Sequence, residues 1–164
     1  IHKTNIIAVS LLTRNGRDSS MIVKIKNFIN QNGGVITTAD ASNLGISRTT
    51  LSNYEKSGKL LRIARGQYIL PDSIPDELYI WQKRISNMIY SHETALFLHG
   101  MAERTPLRQT ATLPIKTRLS DSFPGDYKIY YVKPELLMIG VANIPSTMGN
   151  MLKAYDVERT VCDI

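Results

Sequence analysis

Between residues 21 and 70 the apolar positions switch period twice. Ile22, Ile25, Phe28 and Ile29 recur at helical spacing, with Lys24, Lys26, Asn27 and Asn30 between them. That pattern predicts a helix, and Gly33-Gly34 ends it. Thr37 or Thr38 can N-cap a short second helix over residues 39–44, which Gly45 closes. Ile46 is apolar and Ser47 follows it as the N-cap of a third helix over residues 48–56, ended at Gly58. Residues 60–63 and 67–70 then read as two strands, with Ala64-Arg65-Gly66 as their turn. Helix, helix, tight turn, helix and a two-stranded ribbon is the outline of a winged helix-turn-helix. The short turn Leu44-Gly45-Ile46 suits that outline, because Gly can take the positive φ that lets the chain double back.

Downstream the pattern predicts a second, α+β domain. Residues 71–75 form a turn-rich linker. Asp76 can cap a helix carrying Leu78, Ile80, Trp81 and Ile85, and Ser91 can cap another over residues 92–99, ended by Gly100. Residues 110–115 and 127–132 read as strands, 134–137 as a turn and 138–144 as a further strand. An extended piece ends at Tyr155, and Asp156 can cap a last helix carrying Glu158 and Arg159. The expected fold class is therefore α+β. Its expected parts are an extension over 1–20, a winged helix-turn-helix over 21–70, a linker over 71–75 and an α+β domain over 76–164. Met21 is the expected start of the folded unit, and the last helical pattern runs to Ile164 without a terminator, so the chain reads as cut short.

The chain has 164 residues, 43% hydrophobic and 21% charged, which excludes wholesale disorder. No apolar run reaches the roughly 18 residues of a membrane-spanning helix. The single Cys162 can form neither an internal disulfide nor a Cys-based zinc site, so a reduced, cytoplasmic compartment is expected. The net charge of +6 is unevenly distributed. Residues 21–70 carry seven cations (Lys24, Lys26, Arg48, Lys56, Lys59, Arg62, Arg65) against Asp40 and Glu55, a net of +5. Residues 71–164 are nearly neutral at −1. A compact basic module beside a neutral one points to a polyanion partner.

Within the third helix, Leu51 and Tyr54 define an apolar side. Arg48, Thr49, Thr50, Ser52 and Asn53 supply short polar or cationic groups of the kind that reach base edges and phosphates in a major groove. Arg65 lies at the ribbon tip, with Arg62 and Lys59 nearby, where a wing meets DNA. These eight residues are the candidate DNA-binding set. Lys24, Lys26 and Lys56 read as solvated surface charges, the last near a helix C-terminus.

Residues 33–70, GGVITTADASNLGISRTTLSNYEKSGKLLRIARGQYIL, resemble the N-terminal domain of the AbiEi family. Residues 89–106, IYSHETALFLHGMAERTP, and 154–164, AYDVERTVCDI, resemble later segments of the same family in the same order. The resemblance implies a transcriptional autorepressor and antitoxin of a type IV abortive-infection system. It implies binding to inverted repeats of double-stranded promoter DNA. It also implies a nucleotidyltransferase-type toxin as functional partner, countered without a stable complex.

Other chemistries fit less well. Asp76, Asp126 and Lys128 loosely match the carboxylate–lysine set of a metal-dependent nuclease, but both carboxylates fall at a helix start and a Pro-Gly turn. His92 and His99 lack the i, i+4 spacing of a zinc helix and read as helix-end residues. Cys162 sits in an apolar helical pattern and reads as a buried small residue rather than a nucleophile. There is no Gly-rich phosphate loop. The sequence therefore points to no catalysis, no metal and no cofactor, with a winged-helix protein-interaction module as the main alternative to DNA binding.

Overall fold

The computed structural model describes residues 18–121 and 123–164. The chain divides into two compact units that meet at Pro75 and Asp76.

The first unit opens with a helix, α1, described over residues 18–31. It is already helical three residues ahead of Met21, so residues 18–20 belong to the folded unit and not to an extension. The rest of the expected extension lies outside the described residues. A two-residue strand, β1 (Ile36–Thr37), precedes α2 (Thr38–Asn43) and α3 (Arg48–Lys56). The ribbon follows as β2 (Leu61–Ala64) and β3 (Gln67–Ile69). β1 pairs antiparallel with β3, so the wing has three strands in the order β1-β3-β2. The sequence reading lacks β1 because two residues carry no alternation to detect. Its core joins Ile25 and Ile29 of α1 to Ile36, Ala41, Ile46, Leu51, Tyr54, Leu60 and Tyr68.

The second unit is a five-stranded mixed sheet with helices packed on it. Its elements are α4 (Glu77–Arg84), β4 (Ile89–Tyr90), α5 (His92–Leu98), β5 (Gln109–Pro114) and β6 (Tyr127–Val132). They continue with α6 (Pro134–Leu137), β7 (Val141–Pro145), β8 (Met151–Tyr155) and α7 (Val157–Asp163). The sheet order is β6-β5-β4-β8-β7. β4 runs parallel to β8, and β5 to β6, while the other two neighbouring pairs are antiparallel. Its core centres on Met88, Tyr90, Leu113 and Leu152.

Several local expectations change here. The expected turn at 134–137 is a one-turn helix, favoured by Pro134 at its first position. The expected strand at 138–144 begins only at Val141. Ser91 occupies the N-cap of α5 but makes no capping bond; its hydroxyl instead accepts from Thr112 across the sheet at 2.9 Å. Cys162 is exposed, contrary to expectation, because α7 turns Thr160 into the protein and leaves the Val161-Cys162 side in solvent.

Candidate nucleic-acid interface

The geometry of the basic unit starts from its caps. Thr37 and Asp40 form a reciprocal capping box at α2: the Thr37 hydroxyl oxygen accepts from the Asp40 amide at 3.1 Å, and the Asp40 carboxylate accepts from the Thr37 amide at 3.0 Å. α2 ends in a tight turn at Gly45, which has φ of 74°. The Ile46 amide then donates back to the Ala41 carbonyl at 2.8 Å, and the buried Ile46 side chain plugs the corner between α2 and α3. Ser47 restarts the helix, its hydroxyl oxygen accepting from the Thr50 amide at 3.1 Å. Each of these is a local instruction, and together they fix the direction in which α3 leaves the unit.

α3 is two-sided. Leu51 and Tyr54 are buried against the core. At 100° per residue, Arg48, Thr49, Ser52, Asn53 and Lys56 fall on the opposite side. Arg48, Thr49, Asn53 and Lys56 are exposed and Ser52 is half-buried. Lys56 thus continues the Arg48–Ser52 row by one more turn, although its position near a helix end gave the sequence reading no reason to place it there. Thr50 lies off this stripe, half-buried, with its hydroxyl hydrogen-bonded to that of Ser47 at 2.9 Å.

Of the remaining candidates, Arg62 lies on β2 and Arg65 at the hairpin turn, whereas Lys59 precedes β2 at the other end of the ribbon, beside Leu70 and Pro71. β2 slips register between Arg62 and Ala64, a bulge that increases the local twist. Gly66, with φ of 73°, closes the turn, and its carbonyl accepts from the Thr38 amide at 2.9 Å. A Cβ at Gly66 would stand 3.1 Å from the Thr38 hydroxyl oxygen, so the hairpin tip is seated closely on the start of α2. Arg65 is exposed at that tip. Arg62 is exposed too, its Nε donating to the Ala64 carbonyl at 3.3 Å. Lys59 sits with its ammonium 5.3 Å from the centre of the Tyr54 ring. Among the described residues, none of the seven cations of this unit is held in an ion pair.

Residues 23–71 match the family described as "Transcriptional regulator, AbiEi antitoxin". This segment bears the AbiEi regulator signature. The match covers α1 from Val23, the helix-turn-helix and the whole wing of the first unit. No curated protein matches the chain. The crystal structure of the RV2827C protein from Mycobacterium tuberculosis is similar with a TM-score of 0.47 and 16% sequence identity, over 66% of this chain and 43% of that one. The chain thus spans less than half the length of that protein.

The residues of the other candidate chemistries are placed differently. Asp76 is buried as the N-cap of α4, accepting from the Tyr79 amide at 3.2 Å, from the Asn150 amide group at 2.7 Å and from the Ser146 hydroxyl. Asp126 is exposed in the turn before β6. His99 makes a 2.8 Å hydrogen bond between Nε2 and the Tyr155 carbonyl oxygen. His92 stacks flat on Tyr130, ring centres 3.7 Å apart, and burial pushes its pKa below the usual histidine value. Among the described residues, no group of three or more His, Cys, Asp or Glu could hold a metal, and no helix is long and apolar enough to cross a membrane.

Proposed function

We propose that this protein is a DNA-binding autorepressor and antitoxin, with α3 in the major groove and the β2–β3 tip against the flanking backbone or minor groove. Arg48, Thr49, Ser52 and Asn53 read base edges and anchor phosphates, while Arg65, Arg62 and Lys59 position the unit through the wing. Lys56 adds a phosphate contact at the far end of the row. The observation that supports this reading is the polar stripe of α3: four exposed side chains and one half-buried, with no carboxylate neutralising its two cations among the described residues. An unpaired stripe of this kind is free to exchange counterions for phosphate. Inverted repeats in its own promoter are the expected target, and a nucleotidyltransferase-type toxin is the partner whose action the whole protein counters without forming a stable complex. The role is regulatory rather than enzymatic, in a cytoplasmic setting.

The test is a gel shift on the DNA upstream of the protein's own gene against a scrambled fragment, at two salt concentrations. Preferential retention of the upstream fragment supports the reading. Equal and steeply salt-sensitive retention of both would mean that the unit senses only phosphate charge, and no retention of either would replace DNA by a protein partner.

A further inference from the structure

The second unit carries a groove that the DNA-binding reading does not use. It lies between the outer side of α5, the loop over residues 100–108 and the starts of β5 and β6, and has a volume of about 440 Å³. We propose that it is a nucleotide site, taking a base together with its phosphates.

Three cations line it: Arg104, Arg108 and Lys128. One carboxylate, Glu93, faces them. Residues 76–164 contain ten cations and ten carboxylates in all, so a three-to-one excess in one groove reflects placement rather than composition. Among the described residues none of the three cations is in an ion pair. Arg108 donates from one terminal nitrogen to the Gly125 carbonyl at 3.3 Å, which orients its guanidinium and leaves its other donors for a ligand. The Lys128 ammonium stands 4.9 Å from the centre of the Tyr130 ring, which holds it at the groove wall. Lys128 and Thr110 are paired positions of the parallel strands β6 and β5, so that wall rests on the sheet rather than on a loop.

Beside Thr105 and Thr110, the rest of the lining is apolar: Leu96, Ala102, Pro106 and Leu107. Leu96 and Pro106 are half-buried, and Leu107 is wholly exposed at the rim. A cationic wall beside an apolar bed matches a ligand with a flat apolar body and an anionic tail. Glu93 can accept from an exocyclic amino group or a ribose hydroxyl. Thr110 contributes only surface, because its hydroxyl is already engaged with the Ser91 carbonyl and the Thr94 amide. The volume lies within the ~300–1,000 Å³ of small-molecule sites and is too confined for a duplex.

Equilibrium dialysis of the full 164-residue chain against ATP, without divalent metal, tests the assignment. ATP should bind, and Arg104→Ala with Arg108→Ala should weaken it at least tenfold while circular dichroism is unchanged. Leu107→Ala should weaken ATP severalfold and leave inorganic tripolyphosphate unaffected. Arg48→Ala should leave ATP binding intact. No ATP binding, equal affinity for tripolyphosphate and ATP, or loss of ATP binding on Arg48→Ala but not on the paired arginine change would each overturn the proposal.

Discussion

The phenolic hydroxyl of Tyr54 donates to the backbone carbonyl of Asp18 at 3.0 Å, tying the buried side of α3 to the first described turn of α1. The Tyr54 ring meanwhile packs in the core and carries the Lys59 ammonium on its face. Burial raises the pKa of its hydroxyl above the ordinary tyrosine value, so it remains a donor throughout the physiological range. One side chain thus connects helix packing, helix orientation and the Lys59 cation that precedes the wing. Tyr54→Phe should keep the packing and lose the tether. The expected cost is about 1 kcal/mol, read as a drop in urea midpoint, with a smaller change in DNA affinity.

Gly45 sets the angle of the helix-turn-helix. Nothing lies within 4 Å of a Cβ placed there, so a substitution meets no clash and feels only the positive φ. Gly45→Val should cost about 1–2 kcal/mol, and Gly45→Asn clearly less, because Asn tolerates the left-handed region. Thermal unfolding of the two variants checks this; equal losses would mean that the turn conformation is not the source.

Asp76 acts as a structural hub in the second unit. Its carboxylate caps α4 and satisfies Ser146 and Asn150 in a buried setting. Asp76→Ala removes the α4 cap and one buried acceptor from both Ser146 and Asn150, and should destabilise the protein by about 2–3 kcal/mol in chemical denaturation. A nuclease role would instead show as Mg²⁺-dependent DNA cleavage lost on Asp126→Ala with folding intact.

His92 predicts a pH dependence. Its φ is 48°, its ring lies on Tyr130, and burial outweighs the favourable pull of Asp163 and Glu93, with Lys128 and Arg159 opposing the charge as well. A pKa depressed in the folded state means that the unfolded chain binds the proton more readily. The stabilising contribution is present above the ordinary value of 6.5 and is lost as pH falls through the lowered one. Stability should therefore decline as pH falls below the ordinary histidine value. In His92→Asn, which suits the left-handed backbone, that part of the slope should vanish even though the loss of stacking lowers overall stability. Urea titrations at several pH values decide it.

The parts of this fold that were legible in the sequence are those dictated by local chemistry. Ser47 and Gly58 bracket α3, whose expected and observed spans agree, and Asp76 and Asp156 each cap the helix that follows them. What was not legible depends on distant partners. β1 and β4 are two residues each, and they are strands because Gln67 and Tyr68 pair with the first and Ala111, Thr112 and Ala154 with the second. Ser91 has the cap residue type, yet Thr112 takes its hydroxyl. The apolar pattern around Cys162 implied burial, but which side of α7 faces inward is decided by what it packs on. For the candidate interface, residue type and spacing named the polar side of α3. Whether each group is already engaged, as for Thr50 with Ser47, required the three-dimensional arrangement.

In the proposed function α3 reads sequence and the wing tip positions the unit. The most direct measurement is a salt series of binding titrations on the upstream DNA and on scrambled DNA, with the unaltered protein, Arg48→Ala and Arg65→Ala. Arg48→Ala should lose about 1–3 kcal/mol on the upstream fragment and narrow the difference between the two DNAs. Arg65→Ala should weaken both DNAs alike and reduce the slope of log K against log salt by about 0.9. If both variants bind both DNAs as the unaltered protein does, α3 and the wing are not the DNA-binding surface.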